Sequence, residues 1–113
     1  MKRSLLVVSL ISLVFSGAVS ASSANNGVLS LMHFMSNGVV LVYTSGTRST
    51  DLPACASSEP TRFAVDGTTA GGKVQVAGLL AAYATGKTVA IFGTGDCGVY
   101  GDTESISYFH TVD

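Results

Sequence analysis

Gly93-Thr94-Gly95-Asp96-Cys97-Gly98 has the G-x-G-x-x-G spacing that can cradle a pyrophosphate. That chemistry needs a helix N-terminus directly after the glycines. Val99-Tyr100-Gly101-Asp102 does not begin a helix, so the run reads as a glycine loop that gives Cys97 its reach. His33 and His110, with Asp96, Asp102 or Glu104, have the donor chemistry for a metal or acid–base site. Their spacing forms no ligand pattern, and each histidine falls in a strand-like segment. Both are read as structural or surface residues. Serines are plentiful, but none stands in G-x-S-x-G or S-x-x-K. No catalytic residue, metal ligand or cofactor-binding residue is assigned, and the chain is expected not to be an enzyme.

Cys55 and Cys97 are the two cysteines, and in an exported protein such a pair is most simply a disulfide. It would close a loop of about 40 residues, which the chain-entropy picture values at about 4 kcal/mol. Pairing removes any thiolate nucleophile. Asp102-Thr103-Glu104 reads as a solvated turn, with a cation site or a pairing of this run with Arg62 as the alternatives. Tyr43, Tyr100 and Tyr108 have the apolar face and polar tip that suit a sugar or a protein partner. Tyr43 and Tyr108 are expected to pack inside, and Tyr100, in its glycine loop, to be exposed. Tyr43, Arg48 and Tyr100 are the candidate ligand or partner contacts.

These residues must be positioned by a small chain. The sequence has 113 residues and a net charge of −1. Lys2 and Arg3, then the apolar run Leu5 to Phe15, then Val19-Ser20-Ala21 have the form of a secretory signal peptide cut after Ala21. Residues 1–21 are thus set apart from one domain over residues 22–113, and the protein is expected to be periplasmic or secreted. The remaining chain carries Arg48, Arg62, Lys73 and Lys87 against seven carboxylates. That balance argues against nucleic acid and against adhesion to an anionic membrane. No other stretch is long and apolar enough for stable membrane insertion. A domain of about 90 residues has a small core, so a disulfide matters to it.

Ser22 to Asn26 reads as a disordered or extended lead-in. Val28 to Met35 is strand-like and apolar on both faces, so it lies deep in a sheet or shows one face to a partner. Asn37-Gly38 marks a hairpin to a second strand, Val39 to Tyr43. Thr44 to Thr61 is a long polar loop pinned by Cys55. Arg62 to Val65 is a third strand. Thr68 or Thr69 can cap the helix that follows, with Val76, Leu79, Leu80 and Tyr83 as its apolar face and Gly86 at its end. In that helix Gly78 suits a close approach to a strand, and Gly71-Gly72 is expected to fray. Thr88 to Phe92 and Ser105 to Val112 are the last strands, joined by a glycine-rich loop from Gly93 to Thr103. The fold class is therefore β-rich α+β. Its element order is that of a small five-stranded OB-like barrel with one helix between strands 3 and 4.

The stretch RFAVDGTTAGGKVQVAGLLAAYATGKTVAIFGTGDCGVYGDTESISYF resembles a group of small exported bacterial proteins of unknown function. Their shared pattern is A-Y-x-x-G-K, then V-x-I-x-G-T-G-x-C, then D-T-E. Signal peptide, size, element order and disulfide are more distantly similar to the B subunits of AB5 toxins of the subtilase-cytotoxin and typhoid-toxin type. That resemblance implies an oligosaccharide-binding-type fold, a pentameric ring and recognition of cell-surface sialylated glycans. It assigns no binding residue here. The expected function is an exported, non-enzymatic binding module for a glycan or an exported protein partner, with a homo-oligomer as its assembly. The alternative is a periplasmic structural or inhibitor-like protein with no small-molecule ligand.

Overall fold

A computed structural model describes residues 21–112. The expected signal peptide, apart from Ala21, lies outside the described residues. The elements are β1 (Ser23–Phe34), β2 (Val39–Thr44), a 3-10 turn (Ala54–Ala56), β3 (Arg62–Asp66), α1 (Ala70–Thr85), β4 (Thr88–Gly93) and β5 (Glu104–Val112). The five strands hydrogen-bond in a closed ring in the order β1-β2-β3-β5-β4. All neighbours are antiparallel except β3 and β5. Among the described residues the β-rich class, the single α-helix and the Cys55–Cys97 disulfide agree with the sequence reading.

The ring closes through β1. Its first half pairs with β4, from Ser23 opposite Phe92 to Val28 opposite Thr88. Its second half pairs with β2, from Leu29 opposite Thr44 to Phe34 opposite Val40. Register shifts between Ala24 and Gly27 and between Leu29 and Leu31 bend the strand from one neighbour to the other. The residues Ser22 to Asn26, expected as a lead-in, are therefore mostly strand. Their small polar side chains carry no strand signal; backbone pairing with β4 and with the 47–49 segment orders them. The hairpin follows Met35, whose carbonyl accepts from Gly38 N–H, with Gly38 at φ +86°.

Alternation along β2 divides the apolar residues between two cores. Val40 and Val42 face the ring interior with Phe63, Val65, Val89, Ile91 and Ile106. Each fully buried side chain of this size contributes about 1.5–3 kcal/mol. Val39 and Leu41 face outward with Ala64, and Val99 and Tyr100 from the loop between β4 and β5 cover them.

Helix α1 starts at Thr69, whose Oγ1 accepts from Gly72 N–H, and ends at Gly86 in the left-handed region at φ +64°. Its buried face differs from the expected one. Gly72, Leu79 and Ala82 are buried and Val76 is partly so, whereas Leu80 and Tyr83 are about 40% exposed. An alanine- and glycine-rich helix offers two overlapping stripes, and the ring accepts the one with the smaller side chains. Gly78 lies against the Phe109 ring of β5, as its close approach to a strand requires.

Gly72 does not fray: a Cβ there would lie 1.7 Å from the Asp66 carbonyl oxygen. A Cβ on Gly71 would meet nothing within 4 Å. Gly71→Ala is therefore expected to stabilise the protein by about 0.5–1 kcal/mol, through helix propensity. Gly72→Ala is expected to destabilise it by about 2 kcal/mol or more, because backbone must move. Urea unfolding of the two variants beside the parent checks the opposite signs.

Candidate functional site

Three clusters of polar or aromatic side chains stand out. The first is internal. Glu104 opens β5 and is 0% exposed. Its Oε2 accepts from Ser22 N–H at 3.1 Å and from Gly95 N–H at 3.0 Å. Its Oε1 accepts from the Ser22 hydroxyl and from Arg48 Nη2 at 2.7 Å. Gly93 leaves room for this carboxylate, since a Cβ there would lie 1.9 Å from Oε2. The glycine run Gly93 to Gly98 thus does meet an anion, but the anion is the chain's own side chain.

Arg48, a candidate ligand or partner contact, has its side chain mostly buried. The start of the long loop pairs back onto β1, with Ala24 bridged to Arg48 and Asn25 N–H donating to Thr47. That pairing turns the Arg48 side chain inward, where it is 9% exposed. Its guanidinium carbon lies 3.9 Å from the Phe63 ring centroid. Among the described residues its Nε and Nη1 have no hydrogen-bond partner. Burial lowers its pKa against the opposing pull of Glu104.

The second cluster sits where the loop between β4 and β5 folds over the outer face of β2 and β3. Arg62 donates to Thr103 Oγ1, Asp102 Oδ1 and the Tyr43 hydroxyl at 2.7, 2.7 and 3.0 Å. Its guanidinium carbon is 5.9 Å from the Tyr43 centroid and 5.6 Å from that of Tyr100. The structure thus brings Tyr43 and Tyr100 together around Arg62, and both are half-buried. The D-T-E run is not a free turn. Asp102 binds Arg62, Thr103 is buried, and Glu104 enters the interior. Burial opposes the Arg62 charge, but the hydrogen bonds to Tyr43 and Asp102 outweigh it and raise its pKa. The Asp102 carboxyl is held below the usual carboxylate range by its hydrogen bond from Arg62, helped by Thr103.

The third cluster faces outward from β4 and β5. Tyr108 stacks on Phe92, with centroids 4.5 Å apart and planes 9° apart. His110 lies 5.8 Å from Phe92 on the same row. Tyr108 is 54% exposed, against the expectation that it packs inside, while Tyr100 is the more covered of the two. Strict alternation would put Ile106, Tyr108 and His110 on one face, but the register shifts where Phe92 and Gly93 face Tyr108 and Ile106, so Ile106 enters the core while Tyr108 and His110 turn outward. His33 meets the edge of Tyr43 at 5.2 Å. Among the described residues no three His, Cys, Asp or Glu side chains gather as a metal site, and no pocket opens. No helix there is long and apolar enough to cross a membrane.

No protein-family model, curated protein or solved structure matches this chain.

Asp102 supplies a pH test of the second cluster. Its pKa is depressed in the folded protein, so its contribution is full above the unfolded value of about 3.9. That contribution is lost as pH falls through the folded value. Asp66 behaves alike, held low by hydrogen bonds from Thr68. Asp102→Asn should therefore lessen the loss of stability on acidification below about pH 4, leaving the share due to Asp66. Urea unfolding across this range measures the slope.

Proposed function

We propose that the protein is an exported, non-enzymatic binding module of OB-like barrel type that recognises a glycan. The observation that carries this reading is the Phe92–Tyr108–His110 row. On the outer face of β4 and β5 Phe92 lies against both Tyr108 and His110, and Tyr108 is more than half exposed. An aromatic face with a polar tip stacks on a sugar ring while its hydroxyl and imidazole nitrogens serve the sugar hydroxyls. The strand order β1-β2-β3-β5-β4, with α1 between β3 and β4, supports the OB-like assignment. The disulfide suits an oxidising compartment and supports export to the periplasm or beyond.

A second reading, an exported protein partner or another copy of the chain, has its own observation. Val28, Leu31, Phe34 and Met35 leave apolar surface on β1 and its hairpin. Either reading agrees with the toxin-subunit resemblance, and neither needs a catalytic group or a cofactor.

A glycan array probed with the Ser22–Asp113 protein and its Tyr108→Ala variant separates them. Binding to a defined carbohydrate, weakened about tenfold or more by Tyr108→Ala, is the expected result. Equal binding by both proteins would overturn the assignment to this row. A silent array together with self-association in light scattering would replace the glycan reading with the second.

A further inference from the structure

We propose that the Glu104 cradle is a binding site for the chain's own α-ammonium group, made when the Ala21–Ser22 peptide bond is hydrolysed. The proposal rests on the export reading for the cut, and on the geometry for the docking. Val19-Ser20-Ala21 places the cut before Ser22. Ala21 is exposed, while Ser22 is only 2% exposed and its backbone nitrogen donates to Glu104 Oε2. The chain therefore passes from surface to interior at the bond to be cut.

Hydrolysis by a signal peptidase uses one water. The C–N bond breaks, the water oxygen goes to the Ala21 carbonyl carbon, and a proton goes to the Ser22 nitrogen. At neutral pH the new amine takes up a further proton, since an α-amino group has a pKa of about 7.7–8.0. One neutral amide N–H becomes a cation with three donors, already within hydrogen-bond distance of a buried carboxylate. A bond between charged partners is about twice as strong as a neutral one.

The charges around the site accommodate the new cation. Arg48 and Glu104 form one pair inside the ring. Asp51 lies beyond: Ser49 Oγ donates to it and accepts from Ser23 N–H at 2.8 Å. With the cut made, two cations share the buried Glu104 carboxylate, with the exposed Asp51 next in line through Ser49. On the loop between β4 and β5 the next carboxylate is Asp96, which accepts from Gly98 N–H. Gly93 of β4, bound to the Ser22 carbonyl, and Ser105 of β5 bring no ionisable group. Burial and Arg48, whose Nη2 donates to the Ser22 hydroxyl at 2.7 Å, oppose the new charge. The Glu104 carboxylate outweighs them in this proposal, so docking raises the folded pKa of the amine. The stability it adds is full below about pH 7.7–8.0 and lost as pH rises through the folded value.

The test compares the Ser22–Asp113 protein with a free N-terminus and the same protein acetylated there. The acetyl group reproduces the Ala21 carbonyl, so it keeps the amide and removes the charge. At pH 7 the free form should melt about 4 °C or more above the acetylated form. That gap should close when pH is raised beyond the amine's titration. It should also be absent in Glu104→Gln. Equal melting temperatures at pH 7, or a gap that does not change with pH, would overturn the docking. If Glu104→Gln fails to fold, the two N-termini at two pH values still decide. The intact mass of the exported protein decides the processing step separately. A chain starting at Ser22 supports it, and any other start overturns it whatever the melting comparison gives.

Discussion

A carboxylate buried at one end of the strand ring holds four separate parts of this chain together. Glu104 joins the start of β5 to the residue just before β1, to the segment after β2 and to the loop after β4. A charge without solvent is costly unless it is paired and hydrogen-bonded. Here both carboxylate oxygens are engaged, and the pairing guanidinium rests on the Phe63 ring. The short loop segment that delivers Arg48 must therefore lie against β1. The first residues of the domain must lie in the ring rather than in solvent.

The same constraint governs the outer face. Once Glu104 is fixed, the two residues before it, Asp102 and Thr103, stand over the outer side of β3, where Arg62 binds both. The loop between β4 and β5 then lies down on Val39, Leu41 and Ala64, and Tyr100 covers them. Cys97 ties this loop to Cys55 in the long loop, which the chain-entropy picture values at about 4 kcal/mol. With β2 and β3 covered, the stacked rings of β4 and β5 stay on the outer surface, where Phe34 of β1 and Tyr83 of α1 are exposed singly. A binding role follows more readily from those rings than from Tyr43 or Tyr100, which pack around Arg62.

The strands, the helix ends and the disulfide were legible because they depend on local chemistry. β-branched runs, Asn37-Gly38, Thr69, Gly86 and a lone cysteine pair each act over a few residues or by count. The helix face is not legible because alanine and glycine carry little contrast, and Gly72 is a close contact rather than a weak point. The polar network was not legible at all. Ser22 and Arg48 lie 82 and 56 residues from Glu104, and no local pattern marks any of the three. Asp102 and Arg62 were named as one alternative among several, because an acidic turn beside a glycine loop looks the same with or without its partner. Tyr108 shows the remaining gap. Alternation groups it with Ile106, but a register shift between the two sends Ile106 inward and Tyr108 outward, and no residue pattern marks that shift.

The most direct measurement is a double-mutant cycle on stability between Arg48→Met and Glu104→Gln in the Ser22–Asp113 protein acetylated at its N-terminus, where these two are the only charges of the cluster. Each single change leaves a charge buried without its partner, at about 3–5 kcal/mol. The double change leaves neither charge, and glutamine keeps an acceptor for Ser22 and Gly95. The account predicts that the double variant loses less than the sum of the singles by about 2 kcal/mol or more. Losses that add to within about 0.5 kcal/mol would contradict it, and would mean that the buried pair does not organise the ring.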